Sequence, residues 1–326
     1  MNLRAAVSVV CLLASTACLA QQPTVAPAAK TAPAQEKKPG QLAITFDDLP
    51  EHSSLPQGMT RLEIAQRILK VIQQEHLPPI TGMVNGFWLE RDPKGSAGVL
   101  EAWRDAGQPI ASHTWSHMNL NEKPLEQWTA DVEKNEPLLQ KMAAYPASAP
   151  QKQSWKYLRY PFLAEGETPE KKAAAVAWLT QHGYMIADVT MSWGDYNWNS
   201  VYARCVAKQE KTAIQRLHDT YLAAARQNMW AERLTSLQAF QRDIPHVVLM
   251  HIGAFDAMMF PELIAQMRAD GYTFVSLPQA EMDPAYSTPL SRRAGGGFLE
   301  DQVAHAKGLP IQHRDDYSKE LEAMCR

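Results

Sequence analysis

The stretch LAITFDDLP, residues 42–50, joins a run typical of a buried strand to two adjacent carboxylates. Apolar or β-prone residues lead without a break into Asp47 and Asp48. In α/β folds built on parallel strands, functional side chains collect where the strands end. The stretch therefore predicts a buried strand that delivers Asp47 and Asp48 to a site. An Asp-Asp turn or helix cap is the alternative interpretation.

Strands and helices alternate along the chain that follows this stretch. Residues 61–74 (RLEIAQRILKVIQQ) carry apolar side chains at helical spacing, and residues 80–86 (ITGMVNG) have the pattern of a strand. The order repeats as far as residues 272–277 (YTFVSL), while residues 200–241 hold one long helix or two. This order predicts an α/β fold whose parallel strands are covered by helices. Periodicity alone fits a doubly wound sheet and a barrel equally well.

Length and charge limit the classes of protein to which the chain can belong. It has 326 residues, of which 45% are hydrophobic, and this is enough to form a sizeable core. Its 32 basic and 35 acidic residues leave a formal net charge of −3. Because nucleic-acid-binding domains are usually basic, we expect no nucleic-acid partner.

The first twenty residues have the features of a secretory signal peptide. Arg4 supplies a positive charge, residues 5–14 (AAVSVVCLLA) are mostly apolar, and small residues follow up to Ala20. The segment is too short for a spanning helix, so we expect an exported protein, periplasmic or secreted, without a transmembrane helix. A lipid anchor at Cys18 is an alternative, although Ser15 is a poor match to the aliphatic residue expected there.

The rest of the chain divides into three parts. Residues 21–40 are rich in Ala, Pro and Lys and predict a disordered linker. A catalytic domain is expected over residues 41–285, since the alternating pattern runs through this range. Residues 286–326 form a C-terminal extension, and the pattern does not indicate its role.

Two cysteines, Cys205 and Cys325, lie outside the export segment. An exported protein meets an oxidising environment, so a disulfide between them is one expectation. Two cysteines so far apart in sequence are also compatible with unpaired thiols, because sequence alone does not fix their separation in space.

Charged or ionisable side chains occur at the ends of five predicted strands. Beyond the two aspartates, they are His113, His117, Arg159, Asp195 and His251. One such residue is ordinary for a solvated loop, but five strand ends together indicate a common site. Carboxylates and imidazoles are standard zinc ligands, and a catalytic zinc keeps one coordination position open.

The spacing of His113 and His117 lets both imidazoles face the same side. An HxxxH pair alone is a weak signal, because histidines also have structural roles. Together with one carboxylate from another strand end, the pair predicts an Asp-His-His metal triad. The neighbouring carboxylate is then free to take a proton from a water whose pKa the metal has lowered.

Five short motifs resemble those of a known enzyme family. Between about Leu42 and about Leu277, they are TFDD, HTWSH, RYPF, GDYNW and LMH. In order and rough spacing they are similar to the motifs of the polysaccharide deacetylases, the NodB-homology family or carbohydrate esterase family four. TFDD and HTWSH form the most specific pair. The resemblance implies a distorted (β/α) barrel of about seven parallel strands.

The resemblance also implies a metal site and a catalytic base. Asp48, His113 and His117 would bind a divalent metal, and zinc is the expected ion. Asp47 would act as the general base. Arg159 would pair with Asp47 and hold its charge and orientation.

The later motifs imply the remaining parts of the site. The backbone N–H of Phe162 would donate a hydrogen bond to the oxyanion, and Leu249 would shape the pocket for the acetyl methyl group. His251 would be the general acid. Asp195 would steady Arg159.

The chain departs from the family pattern at two motifs. Leu163 follows Phe162, where the family often has Tyr followed by Gly, but a backbone donor tolerates this change. Tyr196 follows Asp195, where the family usually has tryptophan. Trp193 is therefore a candidate for the wall of the sugar pocket, and a place in the core is its alternative.

These residues predict a metal-dependent hydrolase that acts on carbon–nitrogen bonds other than peptide bonds. It would remove acetyl groups from N-acetylated or O-acetylated sugars, so its partner would be an acetylated oligo- or polysaccharide. Two alternatives remain: a hydrolase of cyclic imides or ureides on the same fold, and a glycan-binding protein without catalysis. The signal peptide and the full triad disfavour the first. The intact acid and base disfavour the second, because converging ionisable groups cost stability unless they are used.

Overall fold

A computed structural model describes residues 40–143, 154–287 and 294–326 of the chain. The expected signal peptide, the candidate lipid anchor and all of the expected linker except Gly40 lie outside these residues. Within the described ranges, no helix has both the length and the apolar character needed to cross a membrane.

The described residues form seven β-strands and eleven α-helices. The strands are β1 (Gly40–Leu49), β2 (Thr81–Val84), β3 (Ile110–Ser112), β4 (Tyr157–Leu158), β5 (Met185–Ile186), β6 (His246–His251) and β7 (Tyr272–Phe274). The helices are α1 (Arg61–Gln74), α2 (Trp88–Arg91), α3 (Pro93–Asp105), α4 (Leu125–Met142), α5 (Pro169–Gln181), α6 (Tyr196–Ala207), α7 (Lys211–Phe240), α8 (Ala254–Ala269), α9 (Leu277–Glu281), α10 (Leu299–Ala306) and α11 (Ser318–Ala323).

The strands form one parallel sheet in the order β5-β4-β3-β2-β1-β6, and β7 pairs with the first residues of β1. Beyond β5, Met191 forms a parallel bridge with Val248 of β6. The chain that leaves the sheet after β5, at one edge, therefore pairs with β6 at the other edge. The expected distorted (β/α) barrel of about seven parallel strands is confirmed, rather than an open doubly wound sheet.

The alternating faces of β1 pack into two different clusters. Leu42, Ile44 and Phe46 are buried in a large cluster with the surrounding helices. Ala43 belongs to a smaller cluster to which each of the other central strands contributes inward-facing side chains, among them Val247 of β6. Because side chains alternate along a strand, the face of Ala43 continues toward Asp47 at the end of β1. The barrel interior therefore leads directly to the site.

Helix starts follow the signals in the sequence. Thr60 caps α1, where its side chain accepts from the N–H of Glu63 and the Glu63 carboxylate accepts from the N–H of Thr60. The Thr168 side chain caps α5 by accepting from the N–H of Lys171, and Pro169 occupies the first helical position. The segment 200–241, for which the pattern left one helix or two, contains the end of α6 and the whole of α7, so it holds two helices.

The C-terminal extension packs on the barrel. Residues 294–326 belong to the same compact unit as the sheet. Leu299 at the start of α10 is fully buried in the interior cluster, and α10 packs against α7. The sequence pattern did not place these residues, because two short helices joined by irregular chain carry little periodic signal.

Cys205 in α6 and Cys325 beyond α11 form a disulfide that spans 120 residues of sequence. The Arg204 side chain donates to the carbonyl oxygen of Met324 at 3.1 Å beside it. The end of the chain is therefore tied to α6, whose first residues lie at the site described below.

Replacing both cysteines by serine is expected to lower the free energy of unfolding by about 3 kcal/mol. The bridge closes a loop of 120 residues and so restricts the unfolded chain. Urea denaturation of the wild type and of the double variant measures this difference. With a reductant present, the two proteins should unfold at the same urea concentration, and equal stability under oxidising conditions would contradict the prediction.

Candidate active site

A pocket of about 480 Å³ lies at the carboxyl ends of β1, β3 and β6. It brings together most of the candidate residues, namely Asp47, Asp48, His113, His117, Phe162, Leu249 and His251. Asp47 and His251 are direct neighbours across β1 and β6. Polar side chains that are far apart in sequence meet here because parallel strands end on one side of the sheet.

Asp48, His113 and His117 form a cluster suited to a metal ion. The Oδ1 atom of Asp48 lies 3.3 Å from Nε2 of His117 and 3.5 Å from Nε2 of His113. The three candidate ligand atoms all lie within 4.8 Å of one another. One carboxylate and two imidazoles leave an open position around a tetrahedral zinc.

Hydrogen bonds orient two of these ligands. The Nδ1 atom of His113 lies 2.8 Å from the carbonyl oxygen of Arg159, which can only accept, so Nδ1 carries the proton and Nε2 is left with its lone pair. His52 Nδ1 contacts Oδ2 of Asp48 at 2.9 Å. Among the described residues, Oδ1 of Asp48 is buried without a hydrogen-bond partner. A carboxylate oxygen without a hydrogen bond, beside two imidazole nitrogens, fits a cation.

The protonation states fit the same interpretation. Burial by itself would raise the pKa of the Asp48 carboxyl, but the hydrogen bond from His52 and the nearby imidazoles lower it well below its usual range. Burial and the neighbouring His113 lower the pKa of His117 to about 4. At neutral pH the cluster therefore offers an ionised carboxylate and a neutral His117, the forms that bind metals.

Two of the three candidate ligands sit on left-handed backbone. The φ angles of Asp48, Thr114 and His117 are 63°, 59° and 58°. Such a conformation costs a non-glycine residue about 1–2 kcal/mol, so the surrounding structure has to hold it. The pairing of β1 with β2 is also irregular between Phe46 and Leu49. This distortion lets the adjacent Asp47 and Asp48 face different partners.

Asp47 faces a buried arginine. The Nη1 atom of Arg159 lies 3.0 and 3.2 Å from the two carboxylate oxygens of Asp47, and both side chains are buried. Arg159 also donates to Oγ1 of Thr45 and, through Nε, to the carbonyl oxygen of Ala187 at 2.7 Å. The arginine is held on three sides, and it therefore fixes the position of the Asp47 carboxylate.

Asp195 has a different partner from the one expected. The resemblance implied that Asp195 steadies Arg159, but its Oδ1 lies 2.9 Å from Nδ1 of His251. Its Oδ2 accepts from the backbone N–H of His251 at 2.6 Å. The Arg159 side chain donates to Asp47, Thr45 and Ala187 instead. Asp195 therefore orients the imidazole of His251 through Nδ1. The other ring nitrogen, Nε2, is the one that this contact leaves available.

The same contact controls the charge of His251. Burial by itself lowers the pKa of this imidazole, but the charge of Asp195 and its hydrogen bond outweigh burial. The carboxylates of Asp48 and Asp47 act in the same direction, and together they raise the pKa of His251 to about 10. His251 therefore holds a proton at neutral pH, as a general acid must.

Asp195→Asn is expected to move the alkaline limb of the kcat–pH profile to lower pH by about 1–2 units. A general acid works only while protonated, and loss of the Asp195 charge lowers the pKa of His251. Acetate release measured between pH 6 and about 10.5 tests this. An unmoved alkaline limb, with activity lowered equally at every pH, would contradict the assignment.

The aromatic side chains near the site divide into exposed and buried groups. Phe162 and Tyr196 are 66% and 48% exposed, and both line the pocket together with Leu249. Trp193 is 4% exposed and packs edge-on against Tyr221 in the core. The expected place of Trp193 in the sugar pocket is therefore not observed. Ser192 and Gly194, the residues on either side of Trp193, line the pocket, and the Trp193 ring does not.

The pocket residues that the sequence did not indicate include His52 and Phe298. His52 lies between Asp48 and His251, with its ring centroid 4.7 Å from that of His251. Its position four residues after Asp48 was an available signal. Phe298 also lines the pocket, but it comes from the C-terminal extension, and no motif points to it.

A family model described as polysaccharide deacetylase matches residues 34–202, which is more than half of the chain. The chain belongs to the polysaccharide deacetylase family. In this family member, the match covers the candidate metal ligands, Asp47, Arg159 and Asp195, while His251 lies beyond it.

Several characterised proteins are similar to this polysaccharide deacetylase family member. A peptidoglycan-N-acetylglucosamine deacetylase from Bacillus cereus is 24% identical over 238 residues, which is 73% of this chain and 67% of the relative. A chitin deacetylase from Colletotrichum lindemuthianum gives a TM-score of 0.49 at 21% identity, covering 75% of this chain and 88% of that structure. A family 4 carbohydrate esterase from Streptomyces lividans, in complex with acetate, gives 0.44 at 17% identity, covering 74% and 95%.

Proposed function

We propose that this protein is a metal-dependent hydrolase that removes acetyl groups from N-acetylated or O-acetylated sugars of a polysaccharide. One observation carries the proposal. A triad of Asp48, His113 and His117 stands beside a second carboxylate, Asp47, and the imidazole of His251 in a single pocket. Together with membership of the polysaccharide deacetylase family, this arrangement favours deacetylation.

Asp48, His113 and His117 would hold a divalent cation, with zinc as the expected ion. Within the described ranges, Oδ1 of Asp48 is buried without a hydrogen-bond partner and lies 3.5 Å from Nε2 of His113, an arrangement that fits such an ion. When bound, the ion supplies Lewis-acid polarisation of an acyl carbonyl.

Asp47 is the proposed general base. Its carboxylate is buried and held by Arg159, and it lies beside the triad, with Oδ2 3.7 Å from Nε2 of His113. A carboxylate in this position can accept a proton from the attacking water. The bond to Arg159 keeps Asp47 from turning away as the proton is transferred.

His251 is the proposed general acid. Asp195 holds Nδ1, so the proton on Nε2 is available to the nitrogen or oxygen of the departing sugar. The backbone N–H of Phe162 is the proposed oxyanion donor. Phe162 and Leu163 have φ angles of 58° and 51°, and this turn at the pocket is a suitable place for a preorganised donor.

The substrate would lie outside the cytoplasm, because the first twenty residues have the pattern of an export signal. A periplasmic or secreted location follows, with lipidation at Cys18 as the alternative. Peptidoglycan, chitin-like polymers and acetylated xylan are the candidate substrates.

Metal analysis and acetate release form the decisive experiment. The purified protein is loaded with zinc and incubated with chitooligosaccharides, acetylxylan and peptidoglycan. Acetate from one of these supports the proposal and chooses the substrate. Zinc binding without acetate from any of them, combined with hydrolysis of a cyclic imide or ureide, would assign the chain to the other branch of the fold. Glycan binding without any hydrolysis would make it a binding protein.

A further inference from the structure

One wall of the catalytic pocket comes from the C-terminal extension. Phe298 lines the same pocket as Asp48 and His251, and it is half-buried, so part of the side chain is accessible. Phe298 lies beyond residue 202, where the match to the family model ends. It also belongs to none of the five motifs. The proposed metal site and acid–base pair leave its presence in the pocket unexplained.

The backbone just before Phe298 packs against the turn that carries the proposed oxyanion donor. Gly295, Gly296 and Gly297 all have positive φ, at 92°, 89° and 105°. The N–H of Gly297 donates to the carbonyl oxygen of Leu163 at 3.0 Å. A Cβ atom on Gly296 would lie 1.8 Å from that same oxygen. Glycine therefore permits a close approach that places the extension against the turn at Leu163.

The residue after Phe298 is anchored as well. The N–H of Leu299 donates to the carbonyl oxygen of Val189 at 2.8 Å, and its side chain is fully buried in the barrel interior. Gly297 and Leu299 thus hold the backbone on both sides of Phe298. This ring is consequently placed by the fold and does not depend on a loose chain end.

A partly buried arginine packs on the Phe298 ring. The guanidinium carbon of Arg314 lies 4.6 Å from the ring centroid. The same guanidinium contacts Asp301 at 2.7 Å, Glu300 at 3.1 Å and Glu232 at 3.2 Å. Three carboxylates therefore fix the plane of Arg314, and Arg314 in turn limits the positions that the Phe298 ring can take.

The carboxylate network also reaches another part of the pocket wall. Glu232 is fully buried, and its two oxygens accept from the backbone N–H of Ser192 at 3.2 and 3.1 Å. Ser192 lines the pocket. Glu232 and Arg314 therefore connect Ser192 to Phe298. This part of the pocket wall is held by specific contacts.

The chemistry of this wall suits a sugar ring. Phe298, Phe162 and Tyr196 present aromatic side chains around the catalytic groups. The C–H faces of a sugar bury apolar area when they pack on aromatic rings. We propose that Phe298 is a specificity-determining residue that packs against a ring of the acetylated sugar, and that Arg314 is its positioning residue. This inference rests on the proposed deacetylase function.

The first test compares Phe298→Leu with Phe298→Tyr. Leucine keeps apolar volume without an aromatic face, whereas tyrosine keeps the face. With an N-acetylglucosamine pentamer, Phe298→Leu is expected to raise KM about tenfold and to change kcat less than about threefold, while Phe298→Tyr keeps KM within about twofold. Equal KM values for wild type and Phe298→Leu would overturn the inference. So would a loss in kcat alone, which would indicate damage to the catalytic groups.

The second test asks whether Arg314 affects KM by positioning Phe298. Arg314→Lys keeps the positive charge for Glu232 and Glu300 but loses the planar group over the ring. It is expected to raise KM about threefold in the wild-type background and to have no further effect on KM in the Phe298→Leu background. Additive effects on KM would show that Arg314 does not act through Phe298. Thermal unfolding of each variant reports any loss of folded protein.

A binding experiment separates this inference from the proposed function. Calorimetry measures the Kd of the zinc-loaded Asp47→Asn protein for the N-acetylglucosamine pentamer, with and without Phe298→Leu. A Kd about tenfold higher with Phe298→Leu supports the sugar contact, even if the wild type releases no acetate. Acetate release by the wild type together with an unchanged Kd overturns the inference about Phe298 alone. Absence of both binding and acetate release overturns both proposals.

Discussion

His113→Ala is expected to remove the bound metal and to lower acetate release by about 10³-fold or more. His113 is buried, and its Nε2 lies 3.5 Å from Oδ1 of Asp48, so alanine leaves two of three ligands and an open space. Two ligands do not hold a divalent ion through dialysis. Elemental analysis of the dialysed protein and acetate release from the same sample measure the two effects together.

A matched histidine on the surface provides the control. His182, which follows the last residue of α5, is exposed and does not line the pocket, and His182→Ala should keep both metal and activity. Treating the wild type with a chelator should reproduce the His113→Ala result, and added zinc should restore only the wild type. Full metal content in His113→Ala would show that the triad is not the metal site.

His251→Ala is expected to keep the metal and to lower kcat on an N-acetylated sugar by about 10²–10⁴-fold. His251 is outside the group of three atoms that lie within 4.8 Å of one another, so its loss leaves the ligands in place. The departing amine, however, loses the proton that we propose the Asp195–His251 pair to supply. Metal content and kcat measured on one preparation distinguish this result from that of His113→Ala.

An ester with a good leaving group sharpens this test. An aryl acetate releases a phenolate that needs no protonation, so His251→Ala should lower its hydrolysis less than about tenfold. Equal losses on the sugar amide and the aryl ester would argue against a general acid. Equal loss of metal in the His113 and His251 variants would refute the division of roles between them.

The motifs predicted which residues meet, because their positions at strand ends follow from the order of strands and helices. Asp47, Asp48, His113 and His117 all line one pocket, as the pattern at residues 42–50 and the HxxxH spacing indicated. Periodicity alone did not separate a barrel from an open sheet, and the count of about seven parallel strands came from the family resemblance. The resemblance to the deacetylases favoured the barrel.

Side-chain partners were harder to predict. Asp195 bonds to His251 rather than to Arg159, and Trp193 points into the core rather than into the pocket. Both results depend on the directions of side chains on short segments after β5, where a rotation of one residue exchanges the inner and outer faces. The left-handed backbone of Asp48 and His117 is likewise a property of the packed structure, since neither residue type requires it.

The sequence by itself determined the alternation of elements, the positions of the ionisable groups and the helix caps, because propensity and periodicity are local properties of the chain. Only the tertiary structure decided that Phe298 of the C-terminal extension enters the pocket and that Arg314 packs on its ring. Contacts between residues far apart in sequence depend on how the elements pack, and a single sequence carries no local signal for them.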